Sequence, residues 1–268
     1  MKPTILCIGG SDSSAGAGIQ ADIKTASALD CYAATIITAI TAQNSNEVSE
    51  IEVLQPSLVA RQLSSVTKEL NPLAVKVGML GSVEVAHVVS EYLHSCRVPI
   101  VIDPVLRATS GKQFVGAALL DFYRARLVAQ ATVLTPNVDE LSALAGRAQA
   151  KKGMGVCELG LKLVHCGCPN VLVKGGHLHG PECADYLVSQ GNNDSFSLPR
   201  ILTSHTHGSG CTLATAIAVS LAHGMNVLQS VQRAKIFVHK SIETAVQWKL
   251  TASNGPLIQY GHAGANSE

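Results

Sequence analysis

Short runs of β-branched and other apolar residues alternate with longer amphipathic or alanine-rich runs through most of this 268-residue sequence. Such alternation is typical of a parallel sheet whose strands are connected by helices lying on both faces. We therefore predict an α/β fold with a doubly wound, mostly parallel sheet. The predicted strands are Thr4–Ile8, Ala34–Ala39, Ala74–Val77, Ile100–Asp103, Thr132–Leu134, Val171–Lys174 and Ala184–Val188.

Helix-start signals follow most of these strands. The predicted helices begin near Ala17, Pro56, Ser82, Gly116, Val138, Met154, Cys211 and Val227. No repeat, low-complexity tract or linker rich in Pro, Gly or Ser divides the chain. We therefore predict one domain over residues 1–260, with a small polar tail over 261–268 that is disordered.

Composition favours a small molecule as the partner. The formal net charge is +1 and only 4% of the residues are aromatic, so the chain offers neither a basic field nor a stacking platform for nucleic acid. The first residues do not resemble a signal peptide, and the apolar runs are too short to cross a bilayer. We predict a soluble, cytoplasmic protein that binds neither nucleic acid nor membrane.

The eight cysteines are irregularly spaced, and a domain of this size needs no disulfides, so we expect reduced thiols. The string His165-Cys166-Gly167-Cys168 lacks a second ligand pair at metal-binding spacing, and we interpret it as a helix end and turn. His177 and His179 follow a Lys-Gly-Gly turn. We interpret them as loop residues near a ligand rather than as metal ligands.

Polar or glycine-rich segments follow six of the predicted strands. In an open parallel sheet, ligands bind at the carboxyl ends of the strands, so these segments should surround one site. They are residues 9–12, 41–44, 78–79, 103–105, 135–140 and 175–177.

The segment His205–Cys211 builds an anion site at the start of a predicted helix. Gly208, Ser209 and Gly210 allow backbone N–H groups to converge, and the helix dipole adds to their positive field. The same field should stabilise a thiolate at Cys211, so we expect this thiol to ionise more easily than a free cysteine and to act as a base or nucleophile. The alternative is an ordinary loop with an inert cysteine.

Taken together, these segments resemble the hydroxymethylpyrimidine kinase/phosphomethylpyrimidine kinase family of thiamine biosynthesis, within the ribokinase-like superfamily. The resemblance covers nearly the whole chain. It implies a kinase that uses ATP and Mg²⁺ to phosphorylate 4-amino-5-hydroxymethyl-2-methylpyrimidine, and then its monophosphate to the diphosphate. A homodimer is also implied. The matching motifs are GGSDSSAGAGIQADIKT, TAITAQN, KVGML, DPV, TPNVDE, VLVKGGH and HTHGSGCTLATAIA.

The resemblance assigns roles in phosphoryl transfer. Gly208, Ser209, Gly210 and Cys211 form the anion cradle, and Cys211 stands where many sugar kinases have an aspartate. It is therefore a candidate general base, and the alternative is a group that mainly orients the acceptor hydroxyl. Asp103 and Glu140 are implied to organise Mg²⁺, partly through water. Glu140 could equally be a stabilising acid in the first turn of a helix.

Three further residues are implied to contact the nucleotide: Asn137, Lys174 and Thr206. Asn137 could instead cap a helix, and Lys174 could simply be exposed at a strand end. The pyrimidine contacts implied by the family are Gly10, Ala17, Asp22, Gln43, Met79 and Val105. Standing alone, Asp22 and Gln43 would be interpreted as surface and turn chemistry, and Met79 and Val105 as core.

Two segments depart from the family pattern. Thr109 occupies a position that is often lysine, and Ser13-Ser14-Ala15 stands where proline and an extra glycine are frequent, which should stiffen or reshape the loop over the substrate. The alternatives are a pyridoxal or pyridoxine kinase of the same family type and a non-catalytic pyrimidine-binding sensor. A sugar kinase is disfavoured because Cys211 replaces its aspartate.

Overall fold

The structure, a computed structural model, describes residues 2–107, 116–146, 154–176, 180–252 and 254–260. Thr109, His177, His179 and the predicted tail over 261–268 lie outside the described residues.

The described strands form one nine-stranded sheet. Their bounds are β1 Thr4–Asp12, β2 Tyr32–Gln43, β3 Val48–Val53, β4 Ala74–Val77, β5 Ile100–Ile102, β6 Val133–Leu134, β7 Asn170–Val173, β8 Glu182–Ser189 and β9 Asn192–Pro199. Their spatial order is β3-β2-β1-β4-β5-β6-β7-β8-β9. Six strands run parallel to one another, namely β1, β2, β4, β5, β6 and β7. The other three, β3, β8 and β9, pair antiparallel with their neighbours.

Helices connect the strands and begin within two residues of the predicted positions. They are α1 Gly18–Ala28, α2 Pro56–Thr67, α3 Val83–Ser95, α4 Ala117–Phe122, α5 Val138–Leu144, α6 Met154–His165, α7 Ser209–Ala222 and α8 Val227–Trp248. A π-helical turn and a 3₁₀ turn continue α4 as far as Gln130. Within the described residues no helix combines the length and the apolar character needed to span a membrane.

Both faces of the sheet are covered, as alternate residues of β1 show. Leu6 and Ile8 are fully buried against α2 to α6, whereas Ile5 and Cys7 are fully buried on the other face, against α1, α7 and α8. Each such aliphatic side chain contributes about 1.5–3 kcal/mol relative to an exposed one. The predicted doubly wound, mostly parallel sheet is therefore confirmed.

Two strands were missed by the sequence analysis, β3 and β9. Each has a solvent-exposed face, and in their sequences, VSEIEV and NNDSFSLP, the aliphatic and aromatic residues stand singly among polar ones. Such strands are stabilised by pairing with a neighbour rather than by burial, so the apolar run that predicts a central strand is absent. β8 is confirmed, with both ends longer than predicted.

Local turns agree with the sequence. The α6 helix ends at His165, and Gly167 has a φ of +105°, which confirms the predicted helix end and turn. All eight cysteines are free thiols. The parallel strands β1, β4, β5, β6 and β7 all point the same way, and their carboxyl ends therefore meet at one edge of the sheet.

Candidate functional site

Neighbouring strand ends bring a carboxylate and an ammonium group together. Asp103 follows β5 and Lys174 follows β7, and the Lys174 Nζ lies 2.6 Å from the Asp103 Oδ1. Thr135, which follows β6, donates its hydroxyl to the same oxygen at 3.1 Å. Asp103 is buried, whereas the Lys174 side chain keeps 16% of its surface exposed. Lys174 therefore holds a charge at the edge of the sheet, where it can reach a ligand.

Glu140 joins this cluster from the start of α5. Its Oε2 lies 3.6 Å from the Lys174 Nζ. The same oxygen accepts the Asn137 N–H at 2.7 Å, while the Asn137 side chain accepts the Glu140 N–H, which together make a capping box. Both residues thus cap the helix, as the structural alternatives predicted, and both also border the Asp103–Lys174 pair. Burial raises the pKa of Glu140, Lys174 opposes this shift, and Asp103 adds to it.

The predicted anion cradle lies over this cluster. The α7 helix begins at Ser209, after Gly208 with a φ of +83°. A Cβ at Gly210 would lie 3.3 Å from both the Asp103 Oδ2 and the Lys174 Nζ. Gly210 and Cys211 are the second and third residues of the helix, where backbone N–H groups have no partner inside a helix. The helix start therefore faces the two charged groups at close range.

Thr206 and Ser209 shape the approach to the cradle. The Ser209 N–H donates to the Thr206 carbonyl at 3.1 Å, and the Thr206 N–H donates to the Ser204 carbonyl at 2.9 Å. The Ser209 N–H is thus committed to a turn, which leaves the N–H groups of Gly210 and Cys211 as the donors of the cradle. Thr206 itself is half-buried beside it.

The expectation that Cys211 ionises easily is wrong for this structure. Although the residue keeps part of its surface exposed, loss of hydration is the largest effect, and burial raises the pKa of the thiol to about 11. Lys76 lowers it, but the carboxylates of Asp22 and Asp103 raise it again. Desolvation and nearby negative charge therefore outweigh the field of the helix start, and the thiol is protonated at neutral pH.

A buried ion pair lies beneath the site and was not predicted. The Lys76 Nζ, in β4, lies 2.9 Å from both carboxylate oxygens of Asp22, in α1, and neither side chain is more than 1% exposed. Thr215 of α7 donates to the Asp22 Oδ1 at 2.7 Å. Burial alone would lower the pKa of Lys76, but the adjacent Asp22 raises it well above its usual value and keeps the ammonium charged.

Asp12, at the end of β1, holds the first glycine-rich loop. Its carboxylate accepts the N–H groups of Ser14 at 2.8 Å, Gly16 at 3.1 Å and Ala17 at 2.7 Å. The Nε2 of His207, just before the cradle, lies 2.8 Å from its Oδ2. Burial would raise the pKa of Asp12, but these hydrogen bonds lower it to about 2. Sequence analysis missed this pairing because nothing local links residues so far apart.

The predicted pyrimidine contacts occupy different depths. Met79 is buried against Gly10, where a Cβ would lie 3.2 Å from the methionine sulfur. Ala17, Gln43 and Val105 are half-buried, and the Gln43 Nε2 lies 3.2 Å from the His207 Nε2. Asp22, by contrast, is closed off from solvent by Lys76 and Thr215. Its predicted contact with a pyrimidine therefore requires an approach that this structure does not open.

The Asp103–Glu140 pair suits a hard cation. Two buried carboxylates, one with its pKa raised partly by the other, are oxygen ligands whose repulsion a divalent ion would relieve. The described residues hold no group of three or more His, Cys, Asp or Glu side chains that could enclose a metal ion. This donor set fits Mg²⁺, which keeps several of its waters and shares itself with phosphates.

Comparisons with known proteins agree with this geometry. The family model for phosphomethylpyrimidine kinase matches residues 12–257. The hydroxymethylpyrimidine/phosphomethylpyrimidine kinase of Escherichia coli K12 is 36% identical over 256 residues, which are 95% of this chain and 96% of that relative.

Two solved structures are also similar. The phosphomethylpyrimidine kinase of Clostridium difficile 630 has a TM-score of 0.80 at 34% identity, covering 90% of this chain and 100% of that one. The pyridoxal kinase of Staphylococcus aureus in complex with AMP-PCP has a TM-score of 0.90 at 28% identity, covering 100% of this chain and 96% of that one.

Proposed function

Because the chain belongs to the phosphomethylpyrimidine kinase family and has its ribokinase-like fold, we propose that it transfers the γ-phosphoryl group of ATP to a hydroxymethylpyrimidine, and then phosphorylates the monophosphate. The observation that carries this proposal is the cluster of Asp103, Lys174 and Glu140 directly beneath Gly210. Such a cluster supplies what phosphoryl transfer needs from a protein, namely positioned donors and compensating charge.

The cradle and Lys174 would bind the phosphates. The N–H groups of Gly210 and Cys211 point to the outside of the helix start, and Lys174 lies within reach of the same space. Asp103 and Glu140 would hold Mg²⁺ in part through water, and the ion would neutralise charge that develops on the phosphoryl oxygens. The other residues of the site would orient the phosphates and the acceptor and exclude water. Asn137 and Thr206 would border the phosphates from either side.

Cys211 would face the acceptor hydroxyl. A thiol with a pKa near 11 must lose its own proton before it can accept another, which supports its role in orienting the hydroxyl over that of a resting general base. The variants Cys211→Ala and Cys211→Ser separate the two roles. Both should bind the acceptor. For an orienting group the serine variant keeps much more of kcat than the alanine variant, whereas for a base both lose it alike.

A groove of about 520 Å³ offers space for the nucleoside. It is lined by Thr203, His205, Val246, Lys249, Leu250, Thr251 and Ala252. The Gly255 N–H donates to the His205 ring at 2.9 Å, which ties this groove to the segment that leads into the cradle. We assign the nucleoside of ATP to it. Val246→Trp should raise KM for ATP and leave KM for the acceptor unchanged.

The alternative acceptor is pyridoxal. The Staphylococcus aureus pyridoxal kinase superposes at least as well as the Clostridium difficile phosphomethylpyrimidine kinase, although its sequence is less similar. Both acceptors are small flat rings that carry a hydroxymethyl group. Specificity constants measured side by side for the hydroxymethylpyrimidine, its monophosphate and pyridoxal decide which is preferred.

The decisive test is turnover with Mg·ATP and the hydroxymethylpyrimidine, followed by detection of the phosphorylated pyrimidine. We expect product from the pyrimidine and from its monophosphate. Binding of the pyrimidine without any turnover would overturn the proposal and leave the sensor interpretation. We also propose a homodimer, which light scattering of the purified protein tests.

A further inference from the structure

The carboxylate of Asp12 bonds to two separate loops. Its Oδ1 accepts the N–H and the hydroxyl of Ser14, both at 2.8 Å, and its Oδ2 accepts the N–H groups of Gly16 and Ala17. The remaining partner is His207, at 2.8 Å from Oδ2. One buried side chain thus fixes the loop over 13–17, hereafter the acceptor loop, to the segment that opens the cradle.

The two segments also touch through their backbones. A Cβ at Gly208 would lie 1.9 Å from the Gly16 carbonyl oxygen, and one at Gly16 would lie 2.2 Å from the His207 ring. Neither position has room for a side chain. The two segments are therefore packed against each other with no free space between them.

The acceptor loop is held in a conformation that it would not adopt alone. Ala15 has a φ of +59°, a region that costs a non-glycine residue about 1–2 kcal/mol. The Asp12 bonds on both sides of Ala15, and a bond from the Lys24 ammonium to the Ala15 carbonyl, offset that cost. Loss of the Asp12 bonds would let the loop relax.

We propose that Asp12 and His207 are positioning residues that couple the acceptor loop to the phosphate cradle, so that a nucleotide bound at the cradle orders the loop over the acceptor. This inference rests on the proposed function. It predicts a communication between the two substrate sites that depends on the Asp12–His207 hydrogen bond, across two segments in close backbone contact. Neither residue needs to touch the reacting atoms.

Amide hydrogen exchange read by mass spectrometry tests this coupling without an acceptor. Mg·AMP-PCP is added to the full-length protein, and two peptides are followed, one covering the cradle at 208–212 and one covering the acceptor loop at 13–18. In the unmodified protein we expect exchange in both peptides to slow, the loop by about tenfold. In His207→Leu, which keeps side-chain bulk but loses the N–H, the cradle should stay protected while the loop loses its response.

Two further variants complete the design. Asp12→Asn removes the charge and should abolish the loop response in the same way, so that the test survives if one variant does not fold. Gln62→Ala is the matched control, since Gln62, on α2, bridges the backbone N–H and carbonyl of Ile37 in β2, outside both loops. It should lower Tm but leave the loop response unchanged, which separates coupling from general destabilisation.

The outcomes are distinct. A protected cradle with an unprotected acceptor loop in the unmodified protein would overturn the coupling and leave the proposed function standing. A loop response that persists in both His207→Leu and Asp12→Asn would also overturn it. A cradle that Mg·AMP-PCP does not protect would contradict the proposed nucleotide site, and the coupling with it.

Discussion

Lys76 and Asp22 form an ion pair that is sealed between β4, α1 and α7, with both carboxylate oxygens 2.9 Å from the ammonium. Removing one partner of such a pair leaves an uncompensated buried charge. We expect Lys76→Met to lower the free energy of unfolding by about 3–5 kcal/mol. Urea denaturation measures this loss. The double variant Asp22→Asn/Lys76→Met should recover at least half of it, and a double variant as unstable as the single one would contradict the explanation.

Cys211 should alkylate slowly at neutral pH. Its raised pKa, about 11, keeps it protonated, and only the thiolate reacts. We expect the rate of Cys211 alkylation by iodoacetamide to rise about tenfold per pH unit between pH 7 and 9.5 without levelling off. Peptide mass mapping measures this rate. Exposed Cys166 is the internal control for reagent activity. A plateau for Cys211 near pH 7 would show a thiolate already formed.

Glu140→Gln tests the proposed Mg²⁺ site. Glutamine is also accepted at this position of a capping box, so α5 should still begin at Val138. The carboxylate charge is lost, and we expect the Mg²⁺ concentration for half-maximal activity to rise about tenfold, or about 1.4 kcal/mol. Asp139→Asn is the matched control, because Asp139 is exposed in the same turn. Equal effects of the two substitutions would remove Glu140 from the site.

Asp12 should make stability sensitive to acid. Its pKa is lowered from 3.8 to about 2, so its contribution is complete above pH 4 and is lost as the pH falls towards 2, where the folded state takes up the proton too. The difference in unfolding free energy between the unmodified protein and Asp12→Asn should shrink by about 2 kcal/mol across that range. Urea titrations at several pH values measure it. Exposed Asp30→Asn should show no such change, and a pH-independent Asp12 difference would contradict the prediction.

Ala15→Gly should stabilise the protein. Glycine removes the cost of a positive φ, about 1–2 kcal/mol, but adds about 0.4–1 kcal/mol of unfolded-state entropy. The net gain should raise Tm by about 2 °C. Ala17→Gly, at an extended φ of −131°, relieves no strain and should lower Tm. Calorimetry of both variants measures these Tm changes. A lower Tm for Ala15→Gly would show that the loop is not strained.

Much of the fold follows from local sequence pattern. Buried parallel strands such as Ala74–Val77 are continuous apolar runs apart from a lysine, and strong helix starts such as Ser82 are readable because their chemistry is local. The edge strand Asn192–Pro199 cannot be recognised from its sequence in this way, since half of it faces solvent and its pairing partner decides its structure. Tertiary pairing, rather than propensity, determines such strands.

In the candidate site, too, some features follow from the sequence pattern and others depend on tertiary packing. The strand-end rule predicted that Asp103 and Glu140 lie at one edge of the sheet, because parallel strands share that edge, and the family resemblance added Lys174 to the same site. The acidity of Cys211 was misjudged, since the helix field can be inferred from sequence but the loss of water around a thiol depends on packing. Lys76 was missed because a lysine inside an apolar strand gives no sign of the carboxylate that it meets.

The close approach of Gly208 to Gly16 restricts how this enzyme can be engineered. Chimaeras that import either glycine turn from a relative would bring in a backbone shaped for a different counterpart. Exchanging both turns as one unit would preserve their fit, so the two segments should be inherited, and transplanted, as a pair.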